Sequence, residues 1–165
     1  KKKKIALYHE SFTDENADIL FHAPPMHDIG KITIPHSILH KPGKLTEDEF
    51  AIMKTHTSRA FKILQNSKRK YTKAAAIIAH QHHEKWDGSG YPQGLKGQDI
   101  HIYGRIVGLI DVFDALMHKR VYKEAWSLED TLDYIRKHSS SQFDPYLVSI
   151  LLEHIDEFVA ISDQN

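Results

Sequence analysis

Strand signals are so few in this chain that it has little choice but to fold as packed helices. Ile32-Thr33-Ile34 is too short to build a sheet. Helix starts, by contrast, recur along the sequence. Thr46-Glu47-Asp48-Glu49 reads as a capping box, with Thr46 as N-cap and Glu49 at the third helical position. It opens a helix whose apolar stripe, Phe50, Met53, Ala60 and Leu64, recurs at three-to-four spacing. An Ala- and Ile-rich helix is expected from Tyr71 to His82, and a third from Arg105 to His118 after a Gly/Pro-rich loop spanning Asp87 to Gly97. Ser127 caps a further segment, and Asp144-Pro145 starts the last with a capping carboxylate and Pro at the first position. Asp14 to His27 forms a shorter helix that ends or kinks near Pro24-Pro25. The expected fold class is all-α.

At 165 residues the chain suits one domain with a real apolar core, and 41% hydrophobic content is ordinary for a globular protein. Lys+Arg and Asp+Glu balance at 22 each, which excludes a global field that would recruit a DNA or RNA polymer or an acidic membrane. A small anionic substrate needs only a local cationic pocket. There is no cysteine, which removes disulfides, thiolate nucleophiles and zinc-thiolate sites. No apolar run reaches the roughly 18 residues of a membrane span and no signal-peptide pattern opens the chain, so a soluble, cytoplasmic module is expected. Lys1 to Lys4 reads as a solvated surface feature.

The 13 histidines point instead to imidazole and carboxylate chemistry, although a surface scatter would give the same count. His27-Asp28 and His82-His83 mean little as isolated pairs. His56 sits on the apolar stripe of its helix, where a lone His is more often a hydrogen-bonded core residue than a ligand. Asp111 lies between Ile110 and Val112, where an unpaired buried carboxylate would be costly; it needs a cation, and a metal is one candidate. Brought together in a bundle, His27, Asp28, His56, His82, His83 and Asp111 would form a nitrogen- and oxygen-donor set. A shared carboxylate can bridge two cations, which would acidify water between them and offset charge on a phosphodiester. Such donors without sulfur suit Fe, Mn, Co, Ni or Zn.

Lys31 is placed to meet a phosphate oxygen or to protonate a leaving group, and Arg120 and Lys123 are spaced to clamp a second phosphate. Each has a plainer reading as a solvated surface cation. Gly88-Ser89-Gly90-Tyr91-Pro92 has glycines that permit close approach to a ligand and an aromatic that could stack on a base, or it is a plain connecting turn.

Longer blocks narrow these choices. His27-Asp28-Ile29-Gly30-Lys31, with Ile34-Pro35 and Lys41-Pro42-Gly43 after it, resembles the HD superfamily core in its HD-GYP version. His82 to Pro92 resembles the signature that gives that family its name. Asp111-Val112-Phe113-Asp114-Ala115-Leu116, then Arg120, Tyr122-Lys123 and Phe143-Asp144-Pro145, is similar to its later blocks, in order and at matching spacing from Phe21 to Leu152. The resemblance implies an HD-superfamily helical bundle with C-terminal helices of the HD-GYP type. It also implies hydrolysis of cyclic di-GMP to pGpG, and in some members on to GMP, at a centre of two or three Fe or Mn ions. On this likeness the metal ligands fall on His27, Asp28 (as the bridge), His56, His82, His83 and Asp111. Lys31, Arg120 and Lys123 take the phosphate contacts, with Lys31 and Asp28 as the catalytic pair, and Tyr91 lines the substrate site. A homodimer, and a receiver or sensor domain outside this chain, are further expectations of the same kind.

One departure bears on activity. The family carries a further metal His on a helix ahead of the HD pair, and counting back from His27 places that helix before Lys1. The expectation is therefore a single domain over residues 1–165 without its N-terminal helix or helices. His9 and His22 read as surface residues, since His22 is poorly spaced to share a helix face with His27. Two readings stay open beside a working enzyme: a catalytically silent nucleotide-binding or protein-docking module, and a phosphohydrolase for another cyclic dinucleotide.

Overall fold

The computed structural model describes residues 13–118 and 125–162, which form eight α-helices joined by turns and short 3-10 segments. In chain order these helices are α1 (Asp14–His22), α2 (His36–Leu39), α3 (Glu47–Leu64), α4 (Lys70–Gln81), α5 (Ile102–Met117), α6 (Leu128–Lys137), α7 (Pro145–Glu153) and α8 (Ile155–Ser162). Among the described residues there is no strand, only a single bridge between Ser139 and Phe143. The same residues include no helix long and apolar enough to cross a membrane.

The helix starts lie where side chains satisfy the free N–H groups. Thr46 accepts from the Glu49 N–H at 3.2 Å, while Glu49 accepts from the Thr46 N–H at 2.7 Å. Ser127 accepts from the Asp130 N–H at 3.0 Å, and Asp144 from the Tyr146 N–H at 2.9 Å. The first helix ends at His22, and Pro24–Met26 continues as a 3-10 turn. Ile32 and Thr33 belong to a second such turn, Ile29–Thr33, rather than to a strand.

The Ala-rich α4 lies between α3 and α5. Its Ala74, Ala75, Ala76, Ile78 and Ala79 are all buried, and the small side chains let both neighbours come close. Helices α6 and α7 pack beyond α5. A buried ion pair joins these parts, Arg105 of α5 donating to Asp144 at the start of α7 at 2.7 Å. The site residues are collected where the Pro24–Thr33 turns, the middle of α3 and the end of α4 meet.

Candidate metal centre

The turns after α1 place His27 and Asp28 against α3, which carries His56 at its middle. His82 and His83 follow directly on α4, and Asp111 projects from α5. Close seating of the HD segment depends on Gly30, because a Cβ there would fall 2.0 Å from the His56 carbonyl oxygen.

Three imidazoles are fixed in the same way. The Nδ1 atoms of His27, His56 and His82 lie 2.7, 2.8 and 3.0 Å from the carbonyl oxygens of Pro24, Met53 and Ile78. A carbonyl can only accept, so each Nδ1 carries the proton and, in the neutral ring, each Nε2 keeps its lone pair. Those lone pairs meet Asp28: His56 Nε2 is 3.5 Å and His82 Nε2 4.0 Å from Oδ1, and His27 Nε2 is 3.4 Å from Oδ2. Burial lowers the pKa of His56. It also takes His82 down to about 2 and His83 to about 4, helped by the neighbouring imidazoles, so these rings are neutral at pH 7. Burial alone would raise the Asp28 carboxyl, but the Lys31 hydrogen bond, with the electrostatics of His27 and Lys31 beside it, holds it below its ordinary value.

This cluster lacks a donor at its centre. Asp28 Oδ1, His56 Nε2 and His82 Nε2 are all buried without a hydrogen-bond partner. Three lone-pair atoms converging in low dielectric repel one another, and a cation between them removes the conflict. Their spacing suits one, since ligand bonds of about 2.0–2.2 Å set neighbouring donor atoms about 3–4 Å apart. Among the described residues, two overlapping groups could hold a metal ion: His56, His82 and His83, and His27, Asp28 and His82.

Asp111 sits at the margin of the cluster, 3.9 Å from His27 Nε2. Its side chain is 33% exposed, so the expectation of a buried carboxylate inside an apolar helix does not hold. Lys31 donates to Asp28 Oδ2 at 2.5 Å. Tyr91 stacks on His83 with ring centroids 4.9 Å apart, and its hydroxyl pKa is pushed up to about 12 by burial and by Asp28 and Asp111. Arg120, Lys123 and His9 lie outside the described residues; His22 is exposed, as expected.

Three further residues shape the site. Phe50, expected on the core stripe, is 46% exposed and meets Tyr91 at the mouth of the site. Gly90 packs tightly on its own chain, since a Cβ there would lie 2.3 Å from the Lys85 nitrogen, which fits the connecting-turn reading of this loop. Glu84 had no assigned role, yet it is buried and accepts from the Gln93 and Leu95 N–H groups at 2.7 and 3.0 Å. It thereby clamps the loop that carries Tyr91. The only sequence signal for it was a charged residue directly after a histidine pair in an otherwise buried junction.

A family model described as HD domain matches residues 4–147. The chain belongs to the HD domain family and is of its HD-GYP type. Family membership implies divalent metal binding, and the orphaned atoms around Asp28 fit it. This HD domain is 48% identical to the 3'3'-cGAMP-specific phosphodiesterase 2 of Vibrio cholerae serotype O1, over 96% of the chain and 32% of that protein. It is 47% identical to the cyclic di-GMP phosphodiesterase response regulator RpfG of Xanthomonas campestris pv. campestris, over 85% of the chain and 37% of that protein. The chain thus spans about a third of the length of these relatives. A crystal structure of a cyclic GMP-AMP-specific phosphodiesterase of V. cholerae superposes with a TM-score of 0.65 at 20% identity, covering 90% of this chain and 40% of that one, and so shares the fold.

Proposed function

We propose that this HD domain is a cyclic dinucleotide phosphodiesterase that opens cyclic di-GMP to pGpG or GMP. The observation that carries the reading is the buried convergence of Asp28 Oδ1 with the Nε2 atoms of His56 and His82, a donor set made for a cation. In this reading His27, Asp28, His56, His82, His83 and Asp111 hold two or three Fe or Mn ions, with Asp28 as the shared ligand. Such ions supply acidified water and positive charge against the phosphodiester.

The chain's own groups do the rest. Lys31 keeps Asp28 ionised and presents its ammonium at the half-exposed face of the cluster, where it can meet a phosphate oxygen or give a proton to the leaving oxygen. Tyr91 remains protonated throughout the physiological range and so acts as a hydrogen-bond donor, while its ring covers His83. Arg120 and Lys123 complete the phosphate clamp. The homodimer and the receiver or sensor domain belong to the same reading; a relative named a response regulator, about three times longer than its matched part, supports the latter.

The name of the Vibrio relative favours a second reading, 3'3'-cGAMP as substrate. Anaerobic incubation with Fe(II) or Mn(II) and each cyclic dinucleotide, with products separated by chromatography, tests both. Wild-type protein yields pGpG or GMP from cyclic di-GMP, and Asp28→Ala yields none. Turnover of 3'3'-cGAMP alone selects the second reading. Nucleotide binding without any product would establish a silent binding module instead.

A further inference from the structure

Phe50 is the wrong residue for its position if α3 serves only the core. It opens the apolar stripe of that helix, yet nearly half of its surface faces solvent. Its ring stands at 85° to that of Tyr91 with centroids 6.2 Å apart, so the two aromatics form a corner at the mouth of the metal cluster. Lys54, one turn along α3, holds its ammonium 5.3 Å from the Phe50 centroid and 5.8 Å from the Tyr91 centroid. The corner is tied to the centre of the site because Tyr91 stacks on His83, which in turn packs against His56 with ring centroids 5.2 Å apart.

An exposed aromatic ring with a cation against it offers one base both a stacking surface and a charge. Purines stack on aromatic side chains in a sequence-tolerant way. A lysine at the edge of the stacked base adds selectivity, since guanine offers O6 and N7 as paired acceptors, whereas adenine offers N7 next to an N6 donor that a cation repels.

We infer that Phe50 and Lys54 form the base-reading wall of the site, with Phe50 stacking one purine of the cyclic dinucleotide and Lys54 favouring guanine there. The inference rests on the phosphodiester reading above and adds which base the site selects. Neither residue belongs to the donor set around Asp28, so substrate binding and metal binding separate cleanly.

The test is steady-state kinetics of the metal-loaded protein on cyclic di-GMP and cyclic di-AMP. Phe50→Ala raises KM for cyclic di-GMP about tenfold with kcat little changed, as loss of one stacked base requires, and Phe50→Trp restores it. Lys54→Ala lowers the preference for cyclic di-GMP over cyclic di-AMP by a similar factor. Bound metal and thermal midpoint stay at wild-type values in all three. An unchanged KM in Phe50→Ala, or a kcat loss that Trp fails to repair, overturns the stacking role, and an unchanged preference in Lys54→Ala overturns the guanine assignment. Wild-type protein that turns over neither nucleotide overturns the cyclic di-GMP reading, and this inference with it.

Discussion

Gly30 lies so close to the backbone of His56 that a methyl group on it would fall 2.0 Å from the His56 carbonyl oxygen. The contact sets the distance between the segment bearing His27 and Asp28 and the helix bearing His56. Gly30→Ala must therefore push the two apart. The expected cost is about 1–3 kcal/mol of stability, from overpacking against backbone that cannot move aside. Chemical denaturation checks the stability, and metal titration should show weakened binding in the same variant.

Arg105 and Asp144 form a buried pair whose side chains are 11% and 1% exposed. Asp144 also caps α7 through the Tyr146 N–H. Asp144→Ala removes the charged hydrogen bond and the cap together, so a loss of about 2–4 kcal/mol is expected. Asp144→Asn keeps the cap acceptor and should lose less. Denaturant midpoints of the two variants separate the contributions.

Glu84 holds the loop of Tyr91 through two backbone N–H groups. Glu84→Ala leaves those donors without their acceptor, at about 1–3 kcal/mol for the buried group. The expected signature is local: faster proteolysis between Asp87 and Gly97 and faster amide exchange at Gln93 and Leu95, with metal content retained.

Much of the helix pattern is legible in the sequence because the caps are local. Thr46 with Glu49, Ser127, and Asp144 with Pro145 each announce a helix start within one turn, and each start is found there. The candidate site is legible for a related reason, since His27-Asp28 and His82-His83 travel as neighbours and folding only has to bring few pieces together. Phe50 escapes because a three-to-four stripe looks the same whether it lines a core or the rim of a pocket. The marginal position of Asp111 escapes likewise, as helix periodicity does not say how deep a face sits. The clamp at Glu84 depends on the path of a loop across nine and eleven positions, which no local pattern encodes.

The paired histidines make the metal-free protein sensitive to acid. His82 and His83 have folded pKa values of about 2 and about 4, below the 6.5 of an unperturbed imidazole. The unfolded chain thus binds protons that the folded chain refuses once pH drops below about 6.5. Stability is complete above that value and falls towards pH 4, each residue contributing up to about 1.4 kcal/mol per pH unit. Thermal midpoints of chelator-treated protein between pH 7.5 and 4.5 should follow this slope, and His83→Gln should flatten it.

The lone pairs converging on Asp28 form a donor set for metal. Anaerobic titration of the wild-type protein and Asp28→Asn with Mn(II), followed by elemental analysis after desalting, tests it directly. At least two ions should stay with each wild-type chain and most of that metal should be lost in Asp28→Asn, with helical content unchanged by circular dichroism. Wild-type protein that retains no metal, or Asp28→Asn that retains as much as wild type, would contradict it.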